Sequence, residues 1–200
     1  GTPIDFPYIR KESREGRLGA TLIGIVSDSQ HGRLYSAPSK EQETIALCPK
    51  PEDYPDGDVF DWPGRINVFR YGMTHFSDLF TNRQLTVLTT LTDTVANIRE
   101  QVLTDALAAG MPEGKPLDEG GNGARAYADA VSVYLSLAVS RQTDRSSSIN
   151  SWDSSRDTIR NVFARQAIPM TWDYAESNPF SSKSGNFLGQ VEWVAEAVEN

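Results

Sequence analysis

The residues of this 200-residue chain that could carry chemistry are few and scattered. His31 and His75 each stand without a second His, or a Glu, at the spacing that places two metal ligands on one helix face. A histidine needs positioned partners before it moves protons, so both read as surface or packing residues. Cys48, the single cysteine, lies beside Pro49 with no base close in sequence. It excludes an internal disulfide and a Cys-rich zinc site, and it is a poor candidate for a catalytic thiol. Gly120-Gly121-Asn122-Gly123 invites comparison with a phosphate cradle, but no Lys-Ser/Thr follows it and no strand precedes it. It reads as a flexible linker. Asn178-Pro179-Phe180 is closer to real chemistry, because enzymes that methylate exocyclic amines use a polar-Pro-Pro-aromatic loop to hold the amine and stack on an extruded base. Here only one Pro is present, Ser181 follows Phe180, and no apolar strand leads in. The tripeptide reads as a turn. No catalytic, cofactor-binding or metal-binding residue is assigned.

The arginines are a stronger lead. The net charge is -8, which by itself argues against nucleic acid, since phosphate binding depends on Lys and Arg displacing counterions. The acid is concentrated: residues 41–64 hold seven Asp or Glu against Lys50, and the rest of the chain is close to neutral. Within that remainder Arg10, Lys11, Arg14 and Arg17 form one basic run, and Arg141, Arg145, Arg156, Arg160 and Arg165 recur along another stretch. Each set also reads as a solvated face with acidic neighbours. Arg145, Arg156 and Arg160, with the serines at 146–148 and 154–155, are the candidate DNA-binding residues, because phosphate contacts want exposed Arg beside small hydroxyl side chains. Arg156 and Arg160, four residues apart on an expected helix, would share a face. Arg165 falls about 140° further round and would turn inward to hold Asp173 or Glu176.

The elements that must position these groups follow from periodicity and caps. Residues 19–27 and 33–35 predict a hairpin around Gln30-His31-Gly32. Ser39 and Gln42 have capping-box spacing, predicting a helix over 40–47, and the Pro-rich acidic stretch 49–64 predicts a surface loop. Residues 65–71 predict a third strand. Thr81 and Gln84 repeat the capping-box spacing ahead of Leu85, Leu88, Leu91, Val95, Ile98 and Val102, predicting a long amphipathic helix to about residue 109. A second helix over 125–141, with Tyr127, Val131, Tyr134 and Ala138 on its buried face, would pair antiparallel with the first. Ile159, Val162 and Phe163 predict a third helix closed by Pro169. Leu188, Val191, Ala195 and Val198 predict a last one, with Trp193 off its apolar stripe. The expected class is α+β, mainly helical: a small N-terminal β-hairpin, with a third strand, beside three to four helices. The expected division is a hairpin-containing part over 1–64 and a helical part over 65–200, together one compact domain. No apolar run approaches a bilayer span and no secretory signal opens the chain, which points to a cytoplasmic protein. A start without Met and an end within a helical pattern fit a domain excised from a longer protein.

Two long strings carry a resemblance. Tyr71-Gly72-Met73-Thr74 with Asp78-Leu79-Phe80-Thr81-Asn82-Arg83-Gln84-Leu85 form the first. The second runs from Arg156 through Arg160-Asn161, Phe163, Arg165-Gln166-Ala167, Pro169-Met170, Trp172-Asp173-Tyr174-Ala175-Glu176 and Asn178-Pro179-Phe180-Ser181. Together with Gly19-Ala20 and the following hairpin, they resemble the large adenine-specific DNA methylase-like proteins of bacteria and archaea, some described as containing a zinc ribbon. The resemblance implies an S-adenosylmethionine-dependent amino-methyltransferase whose cofactor loop lies upstream, and whose Asp-Pro-Pro-Tyr loop lies downstream, of this region. This chain would be the segment between them. It would recognise substrate or act as a scaffold, with DNA and the catalytic domain of the same protein as partners. The alternative is an interaction module that docks partner subunits through its acidic loop. The family's zinc-binding cysteines have no counterpart here.

Overall fold

The computed structural model describes residues 4–199, and its contacts divide the chain into two compact units. The first combines Gly1–Leu85 with Ser147–Ala175, and the second Thr86–Ser146 with Glu176–Asn200. The fold is α+β and mainly helical, with a small N-terminal hairpin. The acidic stretch 49–64 falls inside the first unit, so the contacts divide the chain at other places than residue 64.

In the first unit, the first helix is α1 (Phe6–Arg14). Asp5 is its cap, accepting from the Tyr8 amide at 2.9 Å, and Pro7 lies in the first turn, where a missing N–H costs nothing. The Ser13 hydroxyl donates to the Tyr71 carbonyl, and Gly72 lies against the helix end. A Cβ at Gly72 would stand 3.2 Å from the Arg14 Cα, and its φ of +80° favours glycine as well. Strands β1 (Ile25–Ser29) and β2 (Gly32–Ser36) form the expected antiparallel hairpin, with Val26 opposite Tyr35. Helix α2 (Lys40–Ile45) carries the expected capping box: Ser39 Oγ accepts from the Gln42 amide at 3.2 Å and Gln42 Oε1 from the Ser39 amide at 2.8 Å.

The third strand does not form. Residues 65–67 make a single parallel bridge, Ile66 to Ile168, and the chain then tightens into a 3-10 turn at Val68–Tyr71. Val68 and Phe69 both pack on the core, whereas a strand would point successive side chains to opposite faces. That core joins Val59, Ile66, Val68, Leu79 and Ile149, with Phe69, Val162, Ile168 and Met170 against it. A second 3-10 turn, Phe76–Leu79, is held by Asp78, whose Oδ2 accepts from the Thr74 and His75 amides at 2.9 Å each.

The expected third helix is also absent. Residues 152–159 form a two-residue-per-strand hairpin, β3 (Trp152–Asp153) with β4 (Thr158–Ile159), and bends follow it. Turn chemistry outcompetes the helical period here. Asp153 Oδ1 accepts from the Ser155 amide at 3.1 Å and its hydroxyl at 2.6 Å, and Asp157 takes a left-handed φ of 49°. The Arg160 amide donates to the Ser151 carbonyl at 3.0 Å.

Helix α3 (Asn82–Ala108) starts in the first unit and runs on in the second. Its cap is reciprocal: the Thr81 amide donates to Gln84 Oε1 at 2.9 Å and the Gln84 amide to Thr81 Oγ1 at 3.2 Å. In the second unit, α4 (Ala124–Gln142) packs along α5 (Phe187–Glu199) rather than forming an extended pair with α3. Its tie to α3 is Arg99, whose Nε donates to Asp129 Oδ1 at 2.8 Å. Tyr127 and Tyr134, expected in the core, are 51% and 43% exposed. The buried face instead runs through Ala124, Ala128, Ala138 and Gln142, which has the same helical period and admits a closer neighbour. The Gly-rich loop is no flexible linker: a Cβ at Gly121 would stand 1.8 Å from the Lys115 carbonyl oxygen, so its chain is folded tightly on itself.

Candidate nucleic-acid interface

The hairpin of β3 and β4 places two of the three expected DNA contacts. Arg156 lies exposed in its turn, with its amide donating to the Asp153 carbonyl at 3.2 Å. Arg160 follows β4, and its Nε stands 3.3 Å from Asp153 Oδ2. The pair therefore shares a hairpin and not a helix face. The Ser155 hydroxyl and amide, and after them Arg160, hold the Asp153 carboxyl below its ordinary pKa. Arg145 belongs to the second unit and is half-buried, its carbonyl accepting from Ser177 Oγ at 3.0 Å. Neither unit alone carries all three arginines.

The serines expected beside them divide in the same way. Ser146, Ser147 and Ser148 are buried, so they offer phosphate nothing. Ser147 Oγ and the Ser148 amide both donate to the Leu79 carbonyl at 2.8 Å, fastening this segment to the first unit's core. Ser154 and Ser155 remain exposed in the hairpin turn.

Sequence reasoning missed what braces that turn. Tyr35 Oη donates to Asp157 Oδ1 at 2.8 Å, and Arg33 Nη2 donates to the Asp157 carbonyl at 3.3 Å. The carboxylate holds the Tyr35 phenol in its protonated form and raises its pKa. The two hairpins are thus joined across more than a hundred residues, with no local signal to show it.

Sequence reasoning also missed Arg65 and misplaced Arg165. Both line a cavity of about 300 Å³ in the first unit, together with Arg160, Asn161, Ser151 and Thr171. Arg165 makes no ion pair among the described residues, so the expected inward tie to a carboxylate is absent. A second hollow of about 310 Å³ is lined by Phe6, Arg10, Arg70, Tyr71 and Trp172. The Arg10 guanidinium there lies 5.5 Å from the Tyr71 ring centre, and Tyr71 meets Trp172 edge-on at 5.1 Å.

The remaining candidates take local roles. His75 lies 3.6 Å from Asp58 and 3.7 Å from Asp78, and among the described residues no three His, Cys, Asp or Glu gather as a metal site. The Cys48 carbonyl accepts from Asn82 Nδ2 at 3.0 Å. Asn178 forms a turn, its Oδ1 accepting from the Phe180 amide at 2.9 Å, and Phe180 projects 79% exposed. The Gly-rich loop follows a 3-10 turn, Leu117–Glu119, and packs closely on the Lys115 carbonyl at Gly121. Among the described residues no helix is long and apolar enough to cross a membrane. Comparison with protein-family models, curated proteins and solved structures finds no match.

Proposed function

We propose that this chain is a noncatalytic module of an S-adenosylmethionine-dependent, adenine-specific DNA methyltransferase, serving substrate recognition or scaffolding. The cofactor loop and the amine-holding loop would come from the catalytic domain of the same protein. The reading rests on the two strings that resemble adenine-specific methylase-like proteins, and one observation supports their acting as a unit. Tyr71 of the first string meets Trp172 of the second, while Leu79 of the first belongs to the core against which Met170 of the second packs. The first string and the second as far as Ala175 thus fall in one unit, which carries Arg156 and Arg160 at its surface.

The test has two arms. Calorimetric titration of the chain with S-adenosylmethionine is expected to show no binding, and low-micromolar binding at one site per chain overturns the noncatalytic assignment. Fluorescence anisotropy with duplex DNA is expected to show affinity that falls steeply with salt, and that loses slope in the Arg156→Ala/Arg160→Ala variant. DNA binding that ignores salt, or none at low salt, overturns the recognition role.

A second reading is favoured by a different surface. Phe60 and Trp62 are exposed and stacked at 6.3 Å in the loop that also carries Asp56, Asp58 and Asp61. An exposed aromatic pair among acids suits docking of a partner subunit. Salt-insensitive binding to a protein partner, lost in Trp62→Ala, would select it.

A further inference from the structure

Several arginines in this protein are paired with a nearby carboxylate. Arg17 pairs with Glu12, Arg33 with Asp28, Arg99 with Asp129 and Arg125 with Glu113. The cavity of about 300 Å³ in the first unit differs from those pairs in gathering arginines in a wall that holds no carboxylate. Arg65, Arg160 and Arg165 all line it, and no Asp or Glu does. Neither Arg65 nor Arg165 forms an ion pair among the described residues, and both are exposed, so their guanidinium groups remain hydrated and available. Arg160 alone approaches a carboxylate, Asp153, from outside the lining. Three like charges around one hollow repel one another, and an anion seated among them reverses the sign of that interaction.

The neighbours narrow the kind of anion. Ser151, Asn161 and Thr171 add neutral polar groups to the wall, and Thr171 is held in place by its hydroxyl donating to the Ile149 carbonyl at 3.0 Å. A guanidinium presents a planar fork that matches two oxygens of a phosphate, and several forks around one centre suit a tetrahedral group better than a planar carboxylate. The volume is at the lower end of the roughly 300 to 1,000 Å³ usual for small-ligand sites, enough for a phosphate with part of its sugar. Two walls of the hollow are also fixed to each other: the Asn67 amide donates to the Ile168 carbonyl at 2.9 Å and the Ile168 amide to the Arg65 carbonyl at 2.8 Å. The backbones that bear Arg65 and Arg165 are therefore registered before any ligand arrives.

We propose that the hollow bounded by Arg65, Arg160 and Arg165 seats a backbone phosphate of a DNA strand. The preference for phosphate stands on the arginines, while the choice of a DNA strand as its source rests on the function proposed above. Arg65 and Arg165 are the deciding residues, because Arg156 and Arg160 were already candidates on the hairpin.

The experiment compares the chain with its Arg65→Ala/Arg165→Ala and Arg65→Lys/Arg165→Lys variants, each shown by circular dichroism and urea midpoint to fold as the parent does. Affinity for labelled single-stranded and duplex oligonucleotides is read by anisotropy across a salt series, with adenosine monophosphate and inorganic phosphate as competitors. The alanine pair should lose roughly tenfold or more in affinity at low salt, and about 0.7 to 0.9 of salt slope, the share of the one phosphate no longer neutralised. The lysine pair should keep most of the slope but bind several-fold more weakly, because charge persists and the fork does not. A purely structural role predicts no such separation of slope from affinity. Unchanged DNA affinity and slope in the alanine pair, with losses confined to Arg156→Ala/Arg160→Ala, overturns the phosphate seat and leaves the recognition role standing. If the parent chain binds free phosphate or the nucleotide but no oligonucleotide, the DNA strand is overturned as the source, and the recognition role with it.

Discussion

Helix α4 and the segment 146–163 both carry apolar residues at helical spacing, yet one is a helix and the other is not. The difference is where the backbone hydrogen bonds go. In α4 few side chains compete for them, and Ala at 124, 126, 128, 130 and 138 favours the helix. In the later segment polar side chains claim the backbone. Asn150 Oδ1 accepts from the Ser147 amide at 2.8 Å, Asn150 Nδ2 donates to the Arg160 carbonyl at 2.9 Å, and Asp153 takes the Ser155 amide. A helical period predicts a helix only where the backbone is not already engaged by Ser, Asn and Asp.

In the later segment the largest effect expected is at Asn150, which is fully buried. Asn150→Ala would leave the buried Ser147 amide unpaired, at about 1 to 3 kcal/mol, and would also remove the part-buried bond to the Arg160 carbonyl. Urea denaturation measures it, and a loss under about 1 kcal/mol would mean that the segment does not depend on this side chain.

Leu88→Ala tests the helical side. Leu88 is buried on α3, so truncation should cost about 2 to 5 kcal/mol, whereas half-buried Leu91 should cost clearly less. Equal costs at the two positions would show that α3 buries a different stripe.

A smaller effect sharpens the comparison through pH. The Leu117 amide, at 2.9 Å, and then Arg99 hold the Asp129 carboxyl below its ordinary value. A lowered folded-state pKa means that the stabilisation is complete above the unfolded value of about 3.9 and is lost as pH falls through the folded value. Asp129→Asn should therefore flatten the acid side of the stability profile by about 1 kcal/mol, as urea midpoints between pH 5 and pH 3 would show. An identical acid profile in both proteins would remove the ion pair from the account of α3 and α4.

The smallest effect concerns α2, a six-residue exposed helix. Ser39→Ala should cost about 0.5 kcal/mol, seen as faster amide exchange at Gln42 with little change in the global midpoint. Unchanged exchange would mean that the capping box is ornamental.

Local chemistry determined much of this protein. The β1–β2 turn, the capping boxes at Ser39 and Thr81, and the starts of α4 and α5 were legible because each depends on residues within four positions of one another. The cap of α1 is equally local, with Asp5 at the cap and Pro7 in the first turn. Tertiary structure alone decided the rest. Val68 and Phe69 turn together toward one core, which forbids a strand at 65–71, and no pattern in those seven residues announces that core. Which of two equally periodic faces of α4 is buried depended on the approach of α5. Arg65, Arg160 and Arg165 come together because the Ile66 to Ile168 bridge joins segments a hundred residues apart. Charge spacing along a sequence can locate an arginine on its own element, but whether a carboxylate or an open hollow faces it is fixed only when the distant chain arrives.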